Sequence, residues 1–162
     1  MFFWFVGCSL VGVALVFSSP ALDHRVVMVG ALLPLTEIVF GEPRVLHSLA
    51  APVAALVVVM LATRGQRLRR RWLLGIPIGL FMHLLLDGIW TDTQAFWWPV
   101  GGTAFSDARI PELARGGFNV LLEVVGIGAL VWASRTYGLD TGQARRTFAR
   151  TGRLPRRSAE GM

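Results

Sequence analysis

Four long apolar runs constrain the fold of this chain most. They cover residues 2–17, 45–63, 72–90 and 116–134, and the first contains no charged residue. At about 1.5 Å per helical residue, runs of this length approach the roughly 30 Å hydrocarbon core of a bilayer. The hydrophobic content of 54% also fits a membrane protein. The sequence therefore predicts an all-α integral membrane protein, with a four-helix transmembrane bundle over residues 1–135.

The segments around these runs are less regular. Small residues at 18–21 also fit a cleaved signal peptide, but no basic residue precedes the first run, as a signal peptide requires. Residues 23–42 combine charges with a short apolar stretch that Pro34 interrupts, which predicts an interfacial or re-entrant segment between the first and second spans. The Arg-rich residues 136–162 predict a disordered cytoplasmic tail.

The charges predict the orientation. All 16 basic residues are arginine, and 12 of them lie after the second run and in the tail, where only Asp140 and Glu160 are acidic. Cytoplasmic segments of membrane proteins carry the excess of basic residues. We therefore predict a multi-pass protein of a bacterial plasma membrane with both termini cytoplasmic. The clustering explains the net charge of +6 without a nucleic-acid partner.

Ionisable residues inside the apolar runs are the candidates for chemistry. Such residues cost roughly 2.5–3.5 kcal/mol each on insertion scales and usually mark function. His83 and Asp87 are four residues apart, so they share one helix face, and the fourth run contains Glu123. The predicted topology puts further imidazole and carboxylate groups on the same outer side, namely Asp23, His24, Glu37 and His47. These groups predict a site for zinc or another divalent metal.

Other interpretations of these residues remain open. His83 and Asp87 also fit a buried hydrogen-bonded pair that fixes helix packing, and Glu123 fits a link between helices. His24 fits a solvated loop. The single Cys8 excludes an intramolecular disulfide and a cysteine-based zinc site.

The order of these elements resembles a family of small bacterial proteins described as membrane-bound metal-dependent hydrolases, including the LexA-regulated inner-membrane type. The resemblance covers residues 20–100 and rests on His83-Leu84-Leu85-Leu86-Asp87, the later Trp98-Pro99, Leu33-Pro34-Leu35-Thr36-Glu37 and His47-Ser48. Leu35 and Glu42 stand where the family has polar ligands. These departures imply fewer bound metals, or Glu37 and Glu42 as substitute carboxylates.

The resemblance implies phosphoester hydrolysis at a metal centre. The predicted ligands of zinc, or of manganese, are His47, His83 and Asp87, completed by His24 and Glu37. Asp23 or Glu37 is the predicted general base, and Arg44, Glu42 and Glu123 are predicted to contact the substrate or to support the ligands. A site in the outer leaflet predicts a lipid or lipid-linked substrate. The competing prediction is a non-enzymatic membrane protein, either a small transporter, an assembly partner or a pseudo-enzyme, that uses the same residues structurally.

Overall fold

The computed structural model describes residues 1–17, 22–40, 43–105 and 114–155, and these ranges contain helices and no strand. The α-helices are α1 (Phe2–Phe17), α2 (His24–Leu32), α3 (Ala50–Ala62), α4 (Arg67–Leu73), α5 (Gly75–Asp87), α6 (Thr93–Phe96), α7 (Phe118–Thr136) and α8 (Gly142–Thr151). Short 3-10 helices cover Leu33–Phe40, Val45–His47 and Ile89–Thr91. The four predicted spans correspond to α1, α3, α5 and α7.

The longer helices run between two ends of a bundle. We call them the histidine end, which contains His47 and Asp87, and the arginine end, which contains α4 and α8. Helix α1 runs from the histidine end to the arginine end, because Phe5 stacks on His83 whereas Val13 packs with Ile78 nearer the start of α5. Helices α3 and α7 run in the same direction as α1, and α2 and α5 run in the opposite direction.

Glycines bring α2 and α5 into very close contact. Gly75 and Gly79 are spaced as in the small-residue motifs that let helices approach in membranes. A Cβ atom on Gly79 would overlap the backbone of α2, and a Cβ atom on Gly30 would lie 2.5 Å from the carbonyl oxygen of Ile76. Both helices therefore lie backbone to backbone, with Val27 and Ala31 fully buried.

This packing corrects the prediction for the residues after the first span. Residues 24–32 form a helix inside the bundle, in contact with α1 and α5, and they are not an interfacial segment. Asp23 caps this helix by accepting a hydrogen bond from the backbone N–H of Arg25 at 3.0 Å. The short apolar stretch misled the prediction because the following residues continue as a 3-10 helix.

Helices α1 and α7 are parallel neighbours, which affects the position of the termini. A Cβ atom on Gly126 would overlap the backbone of Phe3, and Ala133, further along α7, packs with Leu10 and Ala14. Met1 therefore lies at the histidine end, whereas the tail helix α8 lies at the arginine end. Met1 and α8 thus lie at opposite ends of the bundle, whereas the prediction put both termini on one side, because an additional helical segment, α2, reverses the direction of the chain. The membrane side of each end stays a prediction.

Length and composition support a membrane crossing most directly for α7. Among the described residues, Phe118–Thr136 is the one helix that is both long and apolar enough to span a bilayer. Phe2–Phe17 and Ala50–Ala62 are apolar but shorter.

The tail contains a helix where the sequence predicted disorder. Thr141 caps α8 by accepting a hydrogen bond from Ala144 N–H at 3.2 Å, and Gly152 ends the helix in the left-handed conformation with φ of 65°. Ala144 and Phe148 are one turn apart and pack against the buried cluster around Tyr137. Residues 156–162 of the predicted tail lie outside the described residues.

The α2–α5 contact predicts a sharp difference between two glycine substitutions. We expect Gly79→Ala to destabilise the protein by about 1–3 kcal/mol, because the new methyl group would force the two helices apart. Gly128→Ala is the matched control, since a Cβ atom on this α7 glycine meets nothing within 4 Å. Thermal unfolding in detergent would measure both, and equal melting temperatures for the two variants would contradict the prediction.

Candidate metal centre

Three of the predicted ligands meet at the histidine end. One ligand atom each from His47, His83 and Asp87 lies within 4.8 Å of the others, and all three residues are fully buried. The two imidazole rings are 5.3 Å apart between centroids and nearly perpendicular, at 81°. The sequence predicted all three residues as ligands, and the structure brings their side chains together.

Helix α2 positions His83. The Nδ1 atom of His83 lies 2.7 Å from the carbonyl oxygen of Ala31, which is a hydrogen-bond acceptor only. Nδ1–H is therefore the donor, and the lone pair of the neutral ring lies on Nε2. Phe5 stacks on the other side of the ring, with a centroid distance of 4.0 Å and an angle of 17°. The ring is thus fixed in both tautomer and orientation.

Glu37 positions His47 in a similar way. The Nδ1 atom of His47 lies 2.8 Å from a carboxylate oxygen of Glu37. The same carboxylate accepts backbone N–H bonds from Arg44 at 2.9 Å and from Leu46 at 2.8 Å. A carboxylate that holds the second nitrogen of a histidine is the usual outer support of metal-binding imidazole. The structure therefore places Glu37 behind His47 and outside the ligand cluster.

Asp87 ends helix α5 and contacts a cation. Gly88 follows it in the left-handed conformation with φ of 71°, which stops the helix at the site. Arg115 Nη1 lies 3.2 Å from Asp87 Oδ1, and its Nη2 donates to the carbonyl oxygen of Asp87. Arg115 is partly exposed, whereas Asp87 is completely buried. In the sequence, Arg115 resembles any other arginine between two predicted spans, and only the structure shows its contact with Asp87.

The donor set fits a divalent metal. Two imidazole nitrogens and one carboxylate oxygen are the ligand types of many catalytic zinc sites, and manganese accepts the same atoms. Both histidines of the cluster have an acceptor at Nδ1, as metal-binding histidines usually do.

The structure does not bring the other predicted ligand and base to this cluster. His24 and Asp23 begin α2, whereas Ala31, which contacts His83, lies seven residues further along, or about 10 Å at the usual helical rise. His24 Nδ1 lies 3.2 Å from the carbonyl oxygen of Gly152 at the arginine end. The structure therefore does not bring His24 to the cluster, because α2 separates it from His47 and His83.

The remaining predicted residues have other contacts. The guanidinium group of Arg44 lies 5.2 Å above the ring of Phe105. Glu123 accepts backbone N–H bonds from Phe2, from Phe3 at 2.6 Å and from Trp4 at 3.2 Å, so it links α7 to the start of α1. Glu42 lies outside the described residues.

Comparison with known proteins places the chain in a family. The model of the YdjM inner membrane protein family matches residues 5–144, which is most of the chain. The chain belongs to the YdjM inner membrane protein family. This membership supports the predicted membrane location and the membrane-protein part of the resemblance. No curated protein and no solved structure matched.

The contact between Glu123 and α1 predicts that removal of the Glu123 carboxylate lowers the stability of the protein. We expect Glu123→Ala to lower the melting temperature, because the first N–H groups of α1 would lose their charged acceptor in an apolar environment. The matched control is Asp140→Ala, which removes an exposed carboxylate beyond the other end of α7. Thermal unfolding in detergent should separate the two, and an unchanged melting temperature for Glu123→Ala would contradict the proposed link.

Proposed function

We propose that this YdjM family protein is a metal-dependent hydrolase that acts on an amphiphilic phosphoester in the inner membrane. The observation that carries the proposal is the buried cluster of His47, His83 and Asp87, whose two histidines are each held at Nδ1 by an acceptor. Burying such groups in a membrane protein is costly, so their convergence favours a functional role.

The residues of the cluster have distinct roles in this proposal. His47, His83 and Asp87 hold a divalent metal, zinc or manganese, which would activate water and polarise the phosphoester. Glu37 keeps His47 in the tautomer that offers Nε2. Arg115, already in contact with Asp87, is the cation best placed to meet a phosphate oxygen.

An apolar groove supports a substrate with a hydrocarbon chain. It has a volume of about 420 Å³ and lies between α1, α3 and α5, with Gly12, Val53 and Phe81 among its walls. Leu49 and Leu85 also line it. In the sequence, Leu49 follows His47 by two residues, and Leu85 lies midway between His83 and Asp87. A lipid tail would contact only apolar side chains there. The same groove gives no binding energy to a small water-soluble ester.

Charge supports an outer-leaflet location for the chemistry. The exposed arginines of α4 and α8 are at one end of the bundle, and basic segments favour the cytoplasmic side. The histidine end then faces the outer leaflet. In this orientation α1, α2, α3, α5 and α7 each pass between the two leaflets.

The contacts of Asp87 and His47 also favour a second candidate, a non-enzymatic membrane protein. Asp87 is paired with Arg115, and His47 with Glu37, so both acidic groups have an opposite or hydrogen-bonding partner within the protein. Such pairs can fix helix packing without a metal. A small transporter, an assembly partner or a pseudo-enzyme would then use the same residues.

Metal content distinguishes the two candidates. We expect near-stoichiometric zinc or manganese in detergent-purified wild-type protein, and loss of that metal in His83→Ala, measured by mass spectrometry of the elements. His24→Ala is the matched control, because His24 is also buried on the bundle but lies at the arginine end. Retention of metal by the control and its loss from His83→Ala would support the proposed site. Wild-type protein that is folded and binds no added zinc or manganese would favour the non-enzymatic candidate.

The hydrogen bond between Glu37 and His47 gives a prediction about metal affinity. We expect Glu37→Gln to weaken metal binding by about 10–100-fold, because the amide no longer supplies the negative charge that strengthens the imidazole ligand. Competition with a zinc chelator would measure the affinity. Thr36→Ala, an exposed neighbour on the same 3-10 helix, should bind metal like the wild type. Equal affinities for Glu37→Gln and wild type would show that Glu37 does not act on a metal through His47.

A further inference from the structure

The arginine end has a strongly basic surface that the proposed hydrolase does not use. This surface contains exposed arginines of α4, of α8 and of the segment that follows α8. They are Arg67, Arg69, Arg71, Arg145, Arg146, Arg150 and Arg153. Acidic residues at this end of the described chain are Asp23 and Asp140. A surface of this sign attracts anions by several times the thermal energy at close range.

A small cleft in this surface combines cationic and apolar side chains. It has a volume of about 110 Å³ and lies between α4 and the end of α8. Its walls are Asp23, Leu68, Arg71, Trp72, Thr151 and Arg153. Leu68 and Trp72 are large apolar residues that are 78% and 50% exposed. Exposed apolar residues beside arginines are typical of surfaces that lie at the boundary between lipid headgroups and chains.

The one acid of the cleft does not cancel its charge. Asp23 pairs with Arg25, with Nη2 to Oδ2 at 2.6 Å and Nε to Oδ1 at 3.0 Å. Burial raises the pKa of the Asp23 carboxyl, but the hydrogen bonds and charge of Arg25 outweigh this effect and leave the pKa below its ordinary value. The ionised carboxylate is therefore balanced by Arg25. Arg71 and Arg153 make the cleft positive overall.

We propose that this cleft binds the phosphate headgroup of an anionic phospholipid from the membrane in which the bundle lies. Arg71 and Arg153 supply the cations, and Leu68 and Trp72 contact the glycerol and upper chain region. A lipid fits better than RNA, because the cleft lies at one end of a bundle of inner-membrane helices, where lipid headgroups are always adjacent. This proposal is independent of the metal site at the opposite end.

Native mass spectrometry of the full chain tests the proposal. Detergent-purified protein is mixed with equal amounts of phosphatidylglycerol and phosphatidylcholine, and the lipids that it retains are identified. We expect preferential retention of phosphatidylglycerol. We expect the double variant Arg71→Gln, Arg153→Gln to lose about 25-fold in affinity, since each arginine near an anionic lipid surface contributes about a five-fold effect.

The control has the same loss of charge outside the cleft. The double variant Arg145→Gln, Arg146→Gln removes two exposed arginines of α8 that do not line the cleft. We expect it to keep most of the preference for phosphatidylglycerol. An equal loss in both double variants would mean a diffuse charge effect and would overturn the cleft site. Equal retention of both lipids by the wild type would overturn it too, as would displacement of phosphatidylglycerol by an RNA oligomer at the same phosphate concentration.

Discussion

The close approach of α2 and α5 is the contact on which the candidate ligand cluster of His47, His83 and Asp87 depends. Glycines at 30, 75 and 79 remove the side chains that would separate the two backbones. The carbonyl oxygen of Ala31 can therefore reach Nδ1 of His83 at 2.7 Å. A wider spacing would leave this nitrogen without its backbone acceptor and would release the ring from one tautomer. The glycines that let α2 and α5 pack closely therefore also fix the orientation of the His83 ring. A substitution at Gly79 should disturb the site as well as the fold, although Gly79 itself contacts no ligand.

Hydrogen bonds and an opposite charge stabilise the carboxylates that are buried at the cluster. Glu37 accepts three hydrogen bonds, and Asp87 is contacted by Arg115, so neither carboxylate is buried alone. An isolated carboxylate in a medium of low dielectric constant would instead take up a proton. The same contacts fix the candidate ligands, because Glu37 holds His47 at Nδ1 and Arg115 Nη1 lies 3.2 Å from Asp87 Oδ1. Arg115 therefore connects the two candidate functions. It neutralises Asp87 when the site acts only in packing, and it faces an incoming phosphate when the site binds metal.

The sequence predicts the parts of the site that depend on local geometry. The four-residue spacing of His83 and Asp87 gives one helix face, and the apolar runs give α1, α3, α5 and α7 close to their observed bounds. It does not predict the parts that depend on which way a segment runs. His24 is a histidine like His47, and the sequence predicted both on the same side, yet the direction of α2 places His24 at the arginine end. The role of Glu37 is also hidden, because it depends on a contact with His47 ten residues away across an irregular stretch. The helix in the tail packs Ala144 and Phe148 against the buried cluster around Tyr137. This contact joins distant parts of the chain, and the local sequence does not reveal it.

Helix geometry explains how α2 and the 3-10 helix after it form an additional segment between the two ends of the bundle. Its nine α-helical residues rise by about 13 Å, which is far too little to cross a bilayer. The eight residues of Leu33–Phe40 continue as a 3-10 helix, and at about 2 Å per residue they add roughly 16 Å. Together they approach the roughly 30 Å of the hydrocarbon core with only 17 residues. Pro34 fits at the start of the 3-10 helix, where its missing N–H group costs little. The 3-10 helix rises further per residue than an α-helix, and it continues α2 from the arginine end towards the histidine end, where Glu37 contacts His47. The number of helical segments that run between the two ends is therefore odd. An odd number of these segments puts the start of α1 beside the candidate ligand cluster, where Phe5 stacks on His83.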